Sequence, residues 1–321
     1  MKPLVTVTNI FPQIALDKLS SECDLNINRT SLTKEELKQK ISGSDAVISY
    51  LTDRIDQDII DKGTKLKIIA NYGAGFNNID VTYASKRGIW VTNTPNVLHE
   101  TTADLTWAMI LGTARRIISA DRYTREGKFQ GWGAKLFLGG DIYEKTLGII
   151  GLGEIGRSVA RRAIGFNMRT LYHQRNCLPD REEKKLNVEY ATLEKILRES
   201  DFLTLHVPLT DKTEYMISND ELALMKKTAY LIHTSRGKVV DDYALVAALK
   251  EGRLAGAALD VYEDEPQITE GMAELSNLML LPHIGSASFE TRDKMALLVA
   301  ENVLDALSGK TPRSLVPSYP Q

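Results

Sequence analysis

Short apolar runs rich in β-branched residues alternate along the chain with longer stretches of helical periodicity. The runs predict strands, in a first series at 4–7, 46–49, 66–70 and 89–92, and in a second series at 146–150, 169–172, 202–205, 229–232, 257–260 and 278–281. Helices are predicted at 33–41, 99–118 and 292–307. Strands and helices that alternate in this way form parallel sheets covered by helices on both faces. The pattern therefore predicts an α/β protein.

Two series of strands indicate two domains, which a length of 321 residues also favours at roughly 150 residues per domain. The second series has six strands, the number that a dinucleotide-binding fold uses. We expect two doubly wound parallel-sheet domains, with a Rossmann cofactor domain (98–287) inserted into a flavodoxin-like substrate domain (1–97 and 288–321). Residues 129–140 are rich in glycine and aromatic residues and have no period, so they are either a long surface loop or an arm that packs on a second subunit.

Composition narrows the class of protein further. With 40 basic and 42 acidic residues the formal net charge is −2, and no polybasic run is present, so no nucleic-acid partner is expected. No apolar run approaches the ~18 residues that span a bilayer, and the N-terminus lacks signal-peptide features, so no membrane association is expected. Cys23 and Cys177 lie far apart and form neither a disulfide pattern nor a metal-ligand spacing. We expect a cytoplasmic globular protein without a bound metal.

A GxGxxG sequence lies between a predicted strand and a helical pattern. Gly151 would permit a tight turn, Gly153 would let backbone N–H groups approach a pyrophosphate, and Gly156 would let the helix pack closely on the strand. The N-terminus of that helix, with Glu154 and Ile155, would then attract the phosphates. The alternative is a glycine-rich turn without a ligand.

Cofactor choice depends on the end of the next strand. A site that prefers NAD would carry an acidic residue there, about 20 residues after the glycines, but residues 171–176 contain none. Arg175 could pair with the 2′-phosphate of NADP, and His173 and Gln174 could add donors. We therefore predict that NADP(H) is preferred and that NAD(H) is possible, unless Arg175 is only a solvated loop residue.

Three further segments are long enough to indicate a family. Residues 225–241 contain Thr-Ser-Arg-Gly-Lys-Val-Val-Asp, residues 256–266 contain Leu-Asp-Val-Tyr-Glu-Asp-Glu-Pro, and residues 281–288 read Leu-Pro-His-Ile-Gly-Ser-Ala-Ser. With GxGxxG, they make the chain resemble the D-isomer-specific 2-hydroxyacid dehydrogenase family over essentially its whole length, and most of all the glyoxylate and hydroxypyruvate reductase branch. The resemblance implies NAD(P)H-dependent reduction of a small 2-keto acid to the D-2-hydroxy acid, the reverse oxidation, and a homodimer.

The family's catalytic arginine, glutamate and histidine fall on Arg236, Glu265 and His283, and the reaction needs what these side chains offer. The planar guanidinium of Arg236 suits a carboxylate and can polarise the keto oxygen. A histidine titrates near neutral pH and suits a general acid, which would be His283. Glu265 would bond the other imidazole nitrogen, fix its tautomer and stabilise its charged form. As isolated residues the three could instead be an ion-pair partner, a turn residue and a loop cap.

Substrate contacts are also implied by the resemblance, beginning with Arg236 and His283 themselves. The loop after the strand at 66–70 has a glycine spacing that would expose N–H groups to a small anion. In the family this loop binds the substrate carboxylate, through Ala74 and Gly75 here; an ordinary strand-to-helix turn is the alternative. The resemblance implies two more substrate contacts. Leu51 falls where the family places an apolar contact, and Trp132 resembles a tryptophan that the partner subunit inserts in this branch.

Further cofactor contacts follow from the same resemblance. Asp260 matches the residue that hydrogen-bonds the nicotinamide carboxamide, and Thr102 matches a cofactor-contacting position. The segment His206, Val207 and Pro208 would line the cofactor mainly through backbone. The remaining implied cofactor contacts are Thr213, Thr234, Ser235, Arg236, His283 and Gly285. We expect the active site in the cleft between the two domains.

Two alternative functions are open on the sequence. A bulkier 2-keto acid would use the same residues, because pocket size is not legible in the sequence. Some proteins similar to the family act as nucleotide-sensing corepressors, and such a protein would also keep the arginine, glutamate and histidine. The near-neutral charge argues against that role, and turnover of a 2-keto acid would decide the question.

Overall fold

The computed structural model describes residues 2–317 of the chain. The chain divides into two compact units, unit 1 formed by Met1–Leu98 with Ser286–Gln321, and unit 2 formed by His99–Gly285. The expected domain limits, after residue 97 and at residue 288, fall close to this division. Residues 1 and 318–321 of the expected substrate domain lie outside the described residues.

Unit 1 contains a parallel sheet of five strands in the order β2-β1-β3-β4-β5. Its strands are β1 (Leu4–Val7), β2 (Asp24–Ile27), β3 (Ala46–Ser49), β4 (Ile68–Asn71) and β5 (Trp90–Thr92). Its first helices are α1 (Gln13–Ser20), α2 (Lys34–Ile41), α3 (Gln57–Lys62) and α4 (Val81–Lys86). This strand order is that of flavodoxin-like folds.

Every residue of β3 and β4 is buried, as expected for central parallel strands with helices on both faces. Successive side chains of a strand point to opposite faces. Ala46 and Ile48 accordingly belong to one hydrophobic core cluster of unit 1, and Val47 belongs to the other.

Unit 2 contains a parallel sheet of seven strands in the order β12-β11-β10-β9-β6-β7-β8. Its strands are β6 (Thr146–Ile150), β7 (Arg169–His173), β8 (Val188–Tyr190), β9 (Phe202–Leu205), β10 (Tyr230–His233), β11 (Gly256–Leu259) and β12 (Leu278–Leu280). The order is that of a Rossmann sheet with one added strand, which confirms the predicted fold class. The expected six strands are one too few, because the polar edge strand β8 has no apolar run to predict it.

The helices of unit 2 are α5 (His99–Ala114), α6 (Ile117–Arg125), α7 (Glu154–Ala163), α8 (Asp180–Leu186), α9 (Leu193–Glu199), α10 (Asn219–Leu224) and α11 (Asp242–Lys250). Short 3₁₀ turns occupy Ile164–Phe166 and Gly237–Val239, and the last helix, α12 (Phe289–Leu307), belongs to unit 1. No helix within residues 2–317 has both the length and the apolar character needed to cross a membrane.

The single helix predicted at 99–118 is wrong, because the chain breaks it after Ala114. Arg116 adopts a left-handed backbone with φ 55°, which an α-helix does not accommodate. The carbonyl of Ala114 instead accepts a hydrogen bond from the N–H of Gly140 at 2.9 Å. A contact far along the chain therefore ends α5, and a second helix, α6, follows.

Candidate active site

The GxGxxG segment forms the turn from β6 into α7, and its three glycines meet different constraints. Gly151 has φ 93°, and a Cβ there would lie 2.8 Å from the carbonyl carbon of His206. A Cβ on Gly156 would overlap the carbonyl oxygen of Gly151, so only glycine lets the helix lie this close to the turn. A Cβ on Gly153 would meet nothing within 4 Å, so it would occupy open space in front of the helix.

The N-terminus of α7 is open to an anion. Within the described residues no side chain caps it, and its N-cap residue, Gly153, has no side chain. The first N–H groups of a helix have no partner inside the helix and carry partial positive charge. The strand, turn and uncapped helix therefore fit the pyrophosphate of a dinucleotide, and Glu154 and Ile155 lie in the first turn that would face it.

The end of β7 carries the three polar residues predicted to determine cofactor choice. The imidazole of His173 donates from Nδ1 to the carbonyl of Ala191 at 2.9 Å, and Gln174 donates to the carbonyl of Asn176 at 2.7 Å. Arg175 is exposed, and within the described residues its guanidinium forms no ion pair. Of these three side chains, that of Arg175 carries a positive charge that no acidic side chain of the described residues pairs with, so it is available to an anion.

A chain of polar side chains follows the ends of β9 and β10. The hydroxyl of Thr234 lies 3.4 Å from that of Thr106 and 3.4 Å from Nδ1 of His206. Burial, with a smaller effect of His233, lowers the pKa of His206 to about 3, so His206 stays neutral. Its Nε2 atom is buried and has no partner within the described residues. Thr106 is a residue that sequence reasoning misses, because no motif contains it.

Two of the implied cofactor contacts, Thr213 and Val207, shape the backbone beside these polar side chains. Thr213 donates its hydroxyl to the carbonyl of Pro208 at 2.6 Å, which closes the loop that follows His206. Val207 packs against the phosphate turn, because a Cβ on Gly151 would lie 2.9 Å from its Cγ1. Thr213 therefore has a structural partner of its own in addition to the implied role at the cofactor.

Asp260 holds the segment that carries the candidate general acid. It follows β11, is 1% exposed, and accepts a hydrogen bond at Oδ1 from the N–H of Ile284 at 2.8 Å. Gly285 packs beside it, since a Cβ there would lie 3.3 Å from Oδ2 of Asp260 and 3.5 Å from Thr102. Burial raises the pKa of Asp260. No sequence motif predicts this positioning contact.

His283 and Glu265 form a direct pair. Nδ1 of His283 lies 2.7 Å from Oε2 of Glu265, with side chains 32% and 29% exposed. Burial raises the pKa of Glu265, but the hydrogen bond and charge of His283 and the N–H of Tyr262 outweigh it and lower the pKa overall. His283 has φ 54°, a left-handed backbone that is rare outside glycine. The imidazole is thus oriented through Nδ1, which leaves Nε2 available to a second partner.

Arg236 follows β10 at the start of the 3₁₀ turn. Its guanidinium donates to the carbonyl of Ser235 at 2.5 Å, and the buried His233 bonds the Arg236 carbonyl at 2.9 Å through Nε2. Burial lowers the pKa of Arg236, and the charge of Glu265 opposes that effect. Burial also lowers the pKa of His233 to about 4, so this imidazole is a neutral support for the turn. Ser235 is buried, with its hydroxyl 3.4 Å from Nδ1 of His233.

Sheet order explains how unit 2 gathers these three residues. Arg236 follows β10, Glu265 follows β11 and His283 follows β12, and these strands are neighbours in the sheet. Parallel strands place their carboxyl ends at one edge, where α/β sheets bind ligands. The GxGxxG turn follows β6 at the same edge. Within residues 2–317 no group of histidine, cysteine, aspartate and glutamate side chains could hold a metal ion.

Unit 1 holds a second glycine loop, which follows β4. Asn71 donates from its side chain to the carbonyl of Gly75 at 2.7 Å, and Asn93 donates to the carbonyl of Ala74 at 2.6 Å. Within the described residues the N–H groups of Ala74 and Gly75 have no acceptor. With their carbonyls engaged by amides, these two N–H groups are available to a small anion.

Leu51 packs directly on this loop. A Cβ on Gly73 would lie 2.6 Å from Cδ2 of Leu51, so the absence of a side chain at Gly73 permits the contact. The turn that carries Leu51 is held by Asp53, which is 7% exposed and accepts from the N–H of Tyr50 at 2.7 Å. Asn78 donates to the carbonyls of Tyr50 and Asp53 at 3.0 and 2.9 Å. The positions of Leu51 and the loop are therefore set together.

Trp132 lies in the stretch between α6 and β6, which has no helix or strand. Its side chain is 88% exposed, so it makes almost no contact with its own chain. Phe129 and Leu138 in the same stretch are 57% and 65% exposed.

The chain is similar to known proteins in both sequence and structure. Residues 107–285 match the D-isomer specific 2-hydroxyacid dehydrogenase, NAD binding domain. A glyoxylate reductase of Thermococcus kodakarensis is 47% identical over 98% of this chain and 96% of its own, and one of Korarchaeum cryptofilum is 49% identical over the same shares. The structure of an NADPH-dependent glyoxylate/hydroxypyruvate reductase from Sinorhizobium meliloti, in complex with NADP and malonate, superposes with a TM-score of 0.88 at 31% identity, covering 100% of this chain and 98% of that one.

Proposed function

Because this chain belongs to the D-isomer-specific 2-hydroxyacid dehydrogenase family, we propose that it reduces a small 2-keto acid of the glyoxylate or hydroxypyruvate type to the D-2-hydroxy acid. It is an NAD(P)-dependent oxidoreductase, and the reverse oxidation uses the same groups. The observation that carries the proposal is the hydrogen-bonded pair of His283 and Glu265 at 2.7 Å, on strand ends adjacent to the one that carries Arg236.

Each catalytic side chain has one task in this reaction. The bound nicotinamide supplies the hydride. Arg236 binds the carboxylate of the keto acid and polarises its keto oxygen. His283 donates the proton from Nε2 to that oxygen, while Glu265 holds Nδ1 and stabilises the charged imidazole.

Two further groups of residues contribute binding. The free N–H groups of Ala74 and Gly75 bind a substrate carboxylate, and Leu51 provides an apolar contact. The phosphate turn and the N-terminus of α7 bind the pyrophosphate, and the segment around His206, Thr234 and Asp260 lines the nicotinamide.

Initial rates test the activity. We expect rapid oxidation of NADPH with glyoxylate and hydroxypyruvate, and slow oxidation with a branched, bulky 2-keto acid. The His283→Ala variant should lower kcat by a factor of roughly 10²–10⁴ and leave NADPH binding unchanged. His99→Ala, which removes a histidine outside these strand ends, is the matched control. Tight NADPH binding without turnover of any keto acid would favour the nucleotide-sensing alternative.

The cofactor preference rests on the free guanidinium of Arg175 and the absence of an acidic residue at the end of β7. NADP(H) is the preferred cofactor in this proposal, and NAD(H) is a weaker substitute. Arg175→Asp should raise KM for NADPH about tenfold or more and change KM for NADH little, because a charge-assisted bond to the 2′-phosphate is lost. Arg181→Asp, a change of the same charge at the start of α8, controls for net charge. Equal effects on both cofactors would contradict the assignment.

The exposed apolar side chains between α6 and β6 support a homodimer. Monomers seldom leave such a group of large apolar side chains in water, and an arm that packs on a second copy would cover Phe129, Trp132 and Leu138. In this proposal Trp132 contributes to substrate binding in the partner subunit. Sedimentation should give a dimer at micromolar concentration, whereas a monomer with full activity would overturn the assignment. A cytoplasmic location stays a prediction, which cell fractionation would test.

A further inference from the structure

Unit 2 contains a buried carboxylate that the proposed reaction does not use. Asp242 is the first residue of α11 and is fully buried. Its Oδ2 accepts hydrogen bonds from the N–H of Glu263 at 3.1 Å and from the hydroxyl of Thr269 at 3.0 Å. Its Oδ1 is buried and has no partner within the described residues. Burying a carboxylate in this way is costly, so packing alone does not explain why one stands here.

The N–H group that Asp242 accepts belongs to the peptide that joins Tyr262 to Glu263. This peptide lies directly against Gly237, where a Cβ would overlap the carbonyl group of Tyr262 and lie 2.5 Å from the nitrogen of Glu263. Gly237 is the residue after Arg236. A shift of this peptide would therefore move the turn that carries Arg236.

The same segment also sets the position of the histidine and glutamate pair. Oε1 of Glu265 accepts from the N–H of Tyr262 at 3.1 Å, while Oε2 bonds His283. The hydroxyl of Tyr262 donates to the carbonyl of Leu281 at 2.7 Å, two residues before His283. The peptide between Tyr262 and Glu263 is thus linked to the supports of all three catalytic residues.

We infer that Asp242 is a positioning residue of the reductase: its buried carboxylate fixes the peptide between Tyr262 and Glu263, and thereby sets Glu265 against His283 and Arg236 in its turn. The inference rests on the proposed function. Asp242 acts through the backbone and contacts no reacting atom.

The surroundings of Asp242 make its charged form costly, which is consistent with an acidic residue that is retained for its role as a hydrogen-bond acceptor. The pKa of Asp242 is raised to about 6, chiefly by burial and to a smaller extent by the negative charges of Glu263 and Asp241, while the hydrogen bonds from Glu263 and Thr269 oppose the rise. The carboxylate is ionised at neutral pH despite this environment, and its ionised form is the stronger hydrogen-bond acceptor.

Kinetics of Asp242→Ala test the inference. The variant loses the hydrogen bonds from the N–H of Glu263 and from Thr269. Loss of the charge-assisted bond that fixes the Glu263 peptide should lower kcat for keto-acid reduction about tenfold, with little change in the Kd of NADPH. With Glu265 no longer held against His283, the pH at which kcat/KM falls on the alkaline side should move to lower pH. Asp242→Asn keeps an oxygen acceptor, so this variant should retain most of the wild-type kcat and the wild-type pH profile. Asp220→Ala, an exposed aspartate in the first turn of α10, is the control.

The outcomes separate positioning from simple structural support. A lower melting temperature with unchanged kcat and pH profile would overturn the inference, as would a failure of Asp242→Asn to restore activity in a folded protein. If Asp242→Ala does not fold, Thr269→Val is the second variant. It removes one of the two hydrogen bonds to Oδ2 of Asp242 and should shift the pH profile in the same direction by a smaller amount. No shift in that variant also overturns the inference. Wild-type protein without turnover would instead contradict the proposed function.

Discussion

The loop after β4 in unit 1 and the loop after β6 in unit 2 both present backbone N–H groups beyond a buried parallel strand, yet different groups hold them in shape. In unit 1 two side-chain amides, those of Asn71 and Asn93, bind the carbonyls of the loop. In unit 2 the shape depends on missing side chains, because Gly151 and Gly156 let backbone pack on backbone.

The two loops should therefore tolerate change differently. A loop held by side-chain hydrogen bonds loses one contact when one amide is removed, and the remaining contacts still constrain it. A loop defined by close backbone packing accepts no added atom at the packed positions. We expect graded effects of substitution in unit 1 and all-or-none effects at the packed glycines of unit 2, Gly151 and Gly156.

The largest effect is expected at Gly156. In Gly156→Ala the new methyl group overlaps the carbonyl of Gly151, so α7 has to move away from the turn. The free energy of unfolding should fall by about 3 kcal/mol, and NADPH binding should be lost. Denaturant unfolding and fluorescence titration with NADPH measure the two effects.

Gly153→Ala is the matched substitution three residues earlier, and it sharpens the comparison. Its methyl group meets open space, so the free energy of unfolding should change by less than about 1 kcal/mol. The methyl group would nevertheless lie where the pyrophosphate approaches, and the Kd of NADPH should rise about tenfold. An unchanged Kd would show that the phosphates do not bind against this glycine.

A smaller and more selective effect is expected from Asn93→Ala in unit 1. The carbonyl of Ala74 loses its amide donor, so the free N–H groups of the loop are less well oriented. KM for the keto acid should rise about fivefold, with no change in the Kd of NADPH. Asn26→Ala on the edge strand β2 is the control, and a comparable rise in KM there would remove the support for the loop assignment.

The smallest effect concerns pH. Burial raises the pKa of Asp53, against the hydrogen bonds from Thr8 and the N–H of Tyr50. The folded state therefore holds this proton more tightly than the unfolded state. The contribution of Asp53 to stability is full below the ordinary pKa of an aspartate, and it declines as pH rises from that value through the raised pKa of the folded state. Asp53→Asn should flatten the fall in melting temperature over that range. An identical pH dependence in both proteins would exclude Asp53 as the source.

Apolar and polar strands differ in how far the sequence reveals them. Strands β3, β6 and β9 are predicted at their observed bounds, because buried parallel strands consist of continuous apolar runs. Strands β2 and β8 are missed: Asp24–Ile27 has no buried residue, and Val188–Tyr190 has one. These two edge strands are polar, so hydrophobic periodicity does not reveal them, whereas the more apolar edge strands β5 and β12 are predicted.

The residues of the candidate site also differ in how far the sequence predicts them. The glycines of the phosphate turn follow from local chemistry, since a turn, a close approach and a helix start lie within six residues. Asn93 and Asp242 are not predicted, because each acts on the backbone of a distant segment, Asn93 on Ala74 and Asp242 on Glu263. Such contacts depend on the register of neighbouring strands, which no local pattern specifies.

The close approach of Gly237 to the peptide between Tyr262 and Glu263 also bears on directed evolution. Any side chain at position 237 would displace the turn of Arg236, so randomising this codon would yield mostly inactive clones. Leu51 makes an apolar contact through a flexible side chain, and shorter or longer aliphatic residues fit there at modest cost. A search for broader keto-acid scope should therefore begin at position 51 and leave position 237 unchanged.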